Sequence, residues 1–377
     1  MKKKFTIRLI KFFYEILLFV FDSVIIPKKK ISPNNIIACV RLDAIGDFII
    51  YLSSGNLIPK EYSGMKKILI CNENVEELAK SINIFDEIIA INLKSFRFNL
   101  SYRNKIIQKV NLSKIKFILH STYSRSFSLG DSIVRASKAQ NSIGFDGDFI
   151  NQSKYLKFIS DTWYTNIIKG EKIIKMEKER NHEFIEKVSN KKINFNNDIP
   201  FLFKDLKLID KSLTNYIVIS PMASSKIKSW SINNFNNLIN VLLRKHNFKI
   251  IVCGTNSEKE SIQKLVKNIN SELLEVRVGR TLLEFIELIK NAKFLIGNDS
   301  SSIHIACMVN TPSICIYGGL LHGRFLPYPK GTRNAPILVS SINCKKNNWT
   351  CSDKHNCLNQ ISVDDVLKTF NRVIDMK

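Results

Sequence analysis

Short apolar runs alternate with segments of helical spacing along most of the chain. Ile36–Val40, Lys67–Cys71, Glu87–Ile91 and Phe117–His120 are brief, rich in Ile, Leu and Val, and bounded by turn residues. That is the pattern of strands buried on both faces. Val75–Ile82 and a basic segment near Arg103–Val110 carry helical spacing between them. Residues 151–215 are less regular, with a charged helix over Lys172–Lys187 and a polar stretch running into Pro200. The alternation then restarts. It predicts strands at Tyr216–Ser220, Lys249–Cys253, Phe294–Ile296 and Ser313–Tyr317, a helix capped by Ser231, a helix over Thr281–Asn291 and a closing helix over Asp364–Met376. Strands that alternate with helices build parallel sheets. The expectation is an α/β chain with two halves, residues 31–200 and 201–345. An extension, 1–30, precedes them and a segment, 346–377, follows.

The extension has its own pattern. Lys4, Arg8, Lys11, Glu15 and Asp22 fall on one helical stripe, and Phe, Ile, Leu and Val fill the rest. Glu15 and Asp22 interrupt the apolar run and no small-residue cleavage site follows, which argues against a signal peptide. The run is also short of the roughly 20 apolar residues that a spanning helix needs. Two readings fit: an amphipathic helix lying on a membrane, with lysines at both ends for anionic lipid, or a helix packed on the protein's own surface.

Composition narrows the class. The 377 residues suffice for two domains with real cores, and 45% hydrophobic content makes the chain globular. The net charge of +24 implies an anionic partner, although part of it follows from a general abundance of Lys, Ile and Asn. Nucleic acid is a poor candidate, because there is no recognition helix, RNP-like strand or zinc-finger spacing. Nicotinamide chemistry is poorer still, because no G-x-G-x-x-G follows the first strand. Cys39, Cys71, Cys253, Cys307 and Cys315 sit in apolar runs and read as small core residues of a reducing compartment. Cys344, Cys351 and Cys357, with His355 nearby, have spacings that do not make a zinc-finger pair.

Two strand ends carry candidate chemistry. The stretch 297–319, GNDSSSIHIACMVNTPSICIYGG, reads as a turn at Gly297, a helix entered through Asp299 and Ser300, and a next strand after Pro312. Free N–H groups and the helix dipole make such an entry a phosphate or diphosphate site, with His304 one turn inside as a further donor. Serines in this position also simply cap helices. The second stretch, RLDAIGD at residues 41–47, turns at Gly46 into an apolar helix from Phe48. Asp47 at that entry could cap the helix, the commoner job for such a residue, or act as a general base. Arg125, just beyond the strand ending at His120, is placed to meet an anionic substrate or to stay solvated.

Four segments together resemble the glycosyltransferase family of bacterial lipopolysaccharide heptosyltransferases, known as family 9. They are RLDAIGD (41–47), SPMASSKIKSW (220–230), CGTNSEKE (253–260) and GNDSSSIHIACMVNTPSICIYG (297–318), with a weaker fifth, STYSRS…IGFD (121–146). The resemblance runs over roughly residues 36–370. It implies two Rossmann-like domains facing across a cleft, the GT-B arrangement. The first would bind the acceptor and the second the nucleotide-sugar. It also implies inversion at the anomeric carbon, no cofactor and no metal. The implied donor is ADP-heptose. The implied acceptor is the lipopolysaccharide inner core, met by a cytoplasmic enzyme peripheral to the inner face of the inner membrane.

Carried onto this chain, the resemblance makes Asp47 the catalytic base and Lys228 the cation that offsets charge on the diphosphate leaving group. Trp230 would pack beneath the Lys228 loop. Ser224, Glu258, Asp299, Ser300, Ser301 and His304 would bind the donor, with Glu258 on the adenosine and Asp299 on sugar hydroxyls. Arg125 and His120 would face the acceptor, and Arg324 lies in a matching loop with its role open. Two positions depart from the pattern: Ser301 stands where the family usually has Gly, and His120 where it has Gln. These departures keep a UDP- or GDP-sugar enzyme building capsule or another surface glycan in view. They also keep a non-catalytic membrane-surface protein in view. The three late cysteines resemble a cysteine-rich tail found in many members.

Overall fold

Among the described residues, twelve strands fall into two parallel sheets of six. The computed structural model describes residues 2–28, 32–55, 57–193, 213–340 and 356–374. The boundary expected at 200 and the residues Cys344, Cys351 and His355 lie outside them.

The first sheet holds β1 (Ile36–Arg41), β2 (Lys66–Asn72), β3 (Glu87–Ile91), β4 (Phe117–His120), β5 (Asn141–Phe145) and β6 (Asn166–Ile168), in the order β3-β2-β1-β4-β5-β6. The second holds β7 (Tyr216–Ser220), β8 (Lys249–Gly254), β9 (Leu274–Val278), β10 (Phe294–Asn298), β11 (Ser313–Ile316) and β12 (Ile337–Val339). Its order, β12-β11-β10-β7-β8-β9, is the same topology written from the other edge. Each is the doubly wound Rossmann order, and the chain divides into two compact units accordingly. The inner strands are apolar on both faces, and β1, β7 and β10 are buried along their whole length. Each sheet has its own core. One gathers Val40, Ile70, Phe96, Ile107 and Ile133; the other gathers Ile219, Trp230, Phe235, Ile296 and Phe370.

Several elements end where the spacing places them. β3, β4 and β7 match their apolar runs, and the Ile232–Lys245 helix begins after Ser231, whose hydroxyl accepts from the Asn234 N–H at 3.1 Å. Other elements differ. Helix α2 (Ile45–Ser53) starts three residues before Phe48, so Gly46 lies inside it and Asp47 is in its first turn. Gly297 is a strand residue rather than a turn. A Cβ there would sit 2.8 Å from the Ser220 carbonyl oxygen, so the glycine lets β10 and β7 lie close. Within the weaker fifth segment, Phe127–Asp131 forms a π-helical turn that runs into the Ser132–Ser137 helix.

Helix α1 (Lys2–Ile25) packs on the first unit with an inverted polarity. Glu15 and Asp22, from the charged stripe, are buried. Arg103 donates to both Asp22 carboxylate oxygens, at 2.6 and 2.5 Å, and to the Ser132 hydroxyl at 2.7 Å. Ser132 in turn donates to Asp22 at 2.6 Å. The Arg103 guanidinium also reaches the Phe96 and Ser128 carbonyls and lies 4.4 Å over the Phe96 ring. A bidentate pair with this many further partners is the kind that tolerates burial. Arg135 donates to Ser23 and covers the Phe19 and Trp163 rings. The apolar side of α1 is consequently turned outward. Lys4 and Arg8, also in that stripe, have side chains outside the described part.

Candidate active site

Open parallel sheets bind ligands beyond the carboxyl ends of their strands, where the strand order reverses. In the second unit that point lies between β7 and β10. Asn298 ends β10 fully buried and ties the two strand ends together. Its amide donates to the Pro221 carbonyl at 2.6 Å, and its carbonyl oxygen accepts the Trp230 N–H at 3.0 Å. Trp230 lies beneath the loop as expected. It is edge-on to Phe235 at 5.0 Å, with its indole N–H donated to the Ile361 carbonyl at 2.9 Å. The loop from Pro221 to Trp230 is therefore held at both ends.

Lys228 on that loop meets Asp299, the residue after Asn298, at 2.9 Å, with 11% and 6% of the two side chains exposed. Its ammonium is also 5.7 Å from the Phe325 ring centroid. The Ser301–Met308 helix begins next. Ser300 is its N-cap by position, but its side chain makes no cap hydrogen bond. The Ser300 and Ser302 hydroxyls pair with each other at 2.8 Å, and Asp299 is paired with Lys228. Neither residue thus caps the helix through its side chain, and its positive entry stands beside a lysine. A diphosphate fits that combination chemically. Ser301 is the first residue of the helix and half-buried.

His304, one turn in, shares a hydrogen bond of 3.0 Å with the Tyr328 hydroxyl. Burial pushes its imidazole down to about 4; Asp299 opposes the shift and Lys228 adds to it. At neutral pH the ring is uncharged, so it offers one N–H rather than a second positive charge.

Glu258 follows β8 in a short turn, where one carboxylate oxygen accepts the Thr255 N–H at 2.7 Å. It is half-buried, and Ser224 on the Lys228 loop is exposed. Arg324 pairs with Glu177 at 2.8 Å and lies over Phe325 at 5.2 Å.

The first unit reverses order between β1 and β4. Arg41 at the end of β1 is buried, with Asp43 at 2.9 Å and the Ser121 hydroxyl and Asn181 carbonyl oxygen each at 3.1 Å. Asp43 also accepts from the Thr122 hydroxyl at 3.3 Å, which links the two loops across the reversal. Asp47 follows on α2, half-buried in the first turn of the helix.

Arg125 and His120 are the residues expected to face the acceptor. Both are buried. Arg125 is paired with Asp161, lies 3.6 Å from Asp131 and sits 4.6 Å over the Tyr164 ring. His120 shares a 2.7 Å hydrogen bond with the Tyr164 hydroxyl, which also donates to Asp131 at 2.7 Å. Burial alone would raise the Asp131 carboxyl, but His120, Arg125 and Tyr164 together hold it below its usual range. Arg125 and His120 thus lie among Asp131, Asp161 and Tyr164, although Arg125 Nε and Nη1 and Asp131 Oδ2 have no hydrogen-bond partner among the described residues.

Two further residues of these loops escape sequence reasoning. Asn298 reads there as part of a helix entry, and its role emerges only from Pro221 and Trp230, 77 and 68 residues away. Asp43 reads as a loop residue, and Thr122, 79 residues on, marks it. Among the described residues, no group of three or more His, Cys, Asp or Glu is placed to hold a metal ion.

Comparison with known proteins adds the family. The lipopolysaccharide heptosyltransferase 3 of Escherichia coli K12 is 28% identical over 116 residues, 30% of this chain. The match spans about a third of that relative's length, 34%. Lipopolysaccharide heptosyltransferase 1 of Campylobacter coli is 23% identical over 88% of this chain and 97% of its own. The solved E. coli heptosyltransferase WaaC with ADP-2-deoxy-2-fluoro heptose shares the fold at a TM-score of 0.68 and 15% identity. That likeness covers 89% of this chain and 99% of the other. The sequence profile of glycosyltransferase family 9 (heptosyltransferase) matches residues 132–356, more than half of the chain, and the chain belongs to that family.

Proposed function

We propose that this protein is an inverting, metal-independent glycosyltransferase that moves heptose from ADP-heptose to the inner core of lipopolysaccharide. The observation that carries this reading is Lys228 beside the Ser301 helix entry, held by the Asn298 clamp. In this reading Asp47 accepts the proton of the attacking acceptor hydroxyl. The freed oxygen bonds to the anomeric carbon from the side opposite the diphosphate, and the bond from that carbon to the phosphate oxygen breaks. The electron pair leaves with ADP. Lys228 and the helix N–H groups offset its charge, which is the role a divalent cation plays elsewhere. Asp299 exchanges its lysine partner for sugar hydroxyls. Ser224, Ser300 and Ser301 contact the diphosphate, His304 donates one N–H, and Glu258 holds the nucleoside. With an acceptor anchored in a bilayer, the enzyme works at the cytoplasmic face of the inner membrane.

Three supports converge: family membership, the names of the relatives, and a cation at a helix entry where a diphosphate fits. Ser301, in place of the glycine common in the family, is the observation that favours a different nucleotide-sugar. The two are separated by calorimetric titration with ADP, UDP, GDP and CMP, each repeated in EDTA. Preference for ADP that survives EDTA is the expected result. Preference for UDP or GDP moves the substrate to another surface glycan, and no binding contradicts the donor site altogether.

A further inference from the structure

The outward side of α1 is apolar from Leu9 to Val24. Leu9, Ile10, Phe13, Leu17, Val20 and Val24 recur at helical steps on one side, and Leu17 and Val24 are 55% and 80% exposed. Glu15, Leu18 and Asp22 occupy the opposite side and are buried. A soluble helix has the reverse arrangement. This one cannot roll over, because rolling would pull Asp22 from Arg103 and Ser132 and leave a buried guanidinium unpaired. The orientation is built into the first unit.

We infer that α1 is an in-plane anchor whose outward stripe, Leu9 to Val24, enters the surface of an anionic lipid bilayer. The charge pattern selects that occupant. Lys2, Lys3 and Lys4 precede the stripe, Lys28, Lys29 and Lys30 follow it, and the whole chain carries +24. Basic residues at the ends of an apolar stripe match anionic headgroups on either side of an acyl-chain contact. No helix among the described residues is long and apolar enough to cross a membrane, so the contact lies in the plane. An ordinary amphipathic anchor turns its polar face to water. Here the polar face is joined to the enzyme, so bound lipid holds the first unit at the surface without an intervening linker. This inference does not rest on the proposed transfer, because lipid binding is read without either substrate.

The test is flotation of the full chain with vesicles of phosphatidylglycerol and phosphatidylethanolamine, against vesicles of phosphatidylcholine. Wild type floats with the anionic vesicles. Leu17→Glu/Val24→Glu alters only exposed positions, so it keeps the wild-type melting temperature and lowers the bound fraction about tenfold or more. Leu17→Trp fluorescence is quenched by brominated lipid. Tyr155→Ser/Phe158→Ser, at two exposed aromatic positions of the separate Lys154–Asp161 helix, floats like wild type. Equal flotation of the α1 variant and wild type overturns the inference, as does a wild type that does not float. A dimer, seen by ultracentrifugation, that the α1 variant dissociates while flotation is unchanged would assign the stripe to a second copy instead.

Discussion

Lys228 and Asp299 neutralise one another in this structure. Both are almost closed to solvent, so in the proposed reading an incoming diphosphate competes for the lysine. Two phosphates carry more charge than one carboxylate, and the helix entry adds to their side of the balance. His304 beside them is a separate reporter of this interior. Its ring stays neutral down to about pH 4, whereas an unfolded histidine titrates near 6.5. Between those values the unfolded chain binds the extra proton, so stability rises with pH across that window and is complete above it. Acidification from pH 6.5 to 4 should remove about 3 kcal/mol through this residue alone. Urea unfolding of His304→Gln across the same range should show a correspondingly shallower slope; an unchanged slope contradicts the assignment. Asp47, Asp299 and Ser300 read as candidates because each stands where an apolar strand gives way to a helix, and Lys228 only through the resemblance of SPMASSKIKSW. Arg125 also follows an apolar strand, yet it is interior. Its partners Asp131 and Asp161 belong to elements whose fold the local sequence does not reveal.

Among elements, those defined by continuous apolar runs were legible and those defined by pairing were not. β9 is an edge strand, half-exposed and alternating in charge, and β6 and β12 are only three residues each. Nothing in such segments outweighs a loop reading until a neighbouring strand supplies hydrogen bonds. The π-helical turn at Phe127–Asp131 has no periodic signature at all. Helix α1 shows the difference most clearly. Its stripe was visible in the sequence, but not which side faces the protein, because Arg103 lies 81 residues from Asp22. That pairing makes a prediction about the element. Asp22→Ala leaves the buried guanidinium without its main partner and should cost about 3–5 kcal/mol in urea unfolding. Asp22→Leu/Arg103→Leu removes both charges and should recover most of that loss. Equal losses in the two variants would mean that packing, and not the ion pair, holds α1.

At the scale of the molecule, the two units repeat one design. Each is a parallel sheet with the same strand order, and each carries paired charges at its order reversal: Arg41 with Asp43 in the first, Lys228 with Asp299 in the second. The proposed division of labour follows the chemistry of those loops. The first unit supplies a carboxylate base, Asp47, and the second supplies the cation and helix entry for a nucleoside diphosphate. The most direct test of this account is Asp47→Asn, assayed for heptose transfer from ADP-heptose to heptose-deficient lipopolysaccharide, with ADP affinity measured on the same sample. The substitution keeps size and hydrogen-bonding capacity and removes only the base. The account predicts transfer slowed by about 10²–10⁴-fold with ADP binding unchanged. Transfer at the wild-type rate would contradict it, because the attacking hydroxyl would then lose its proton to some other group.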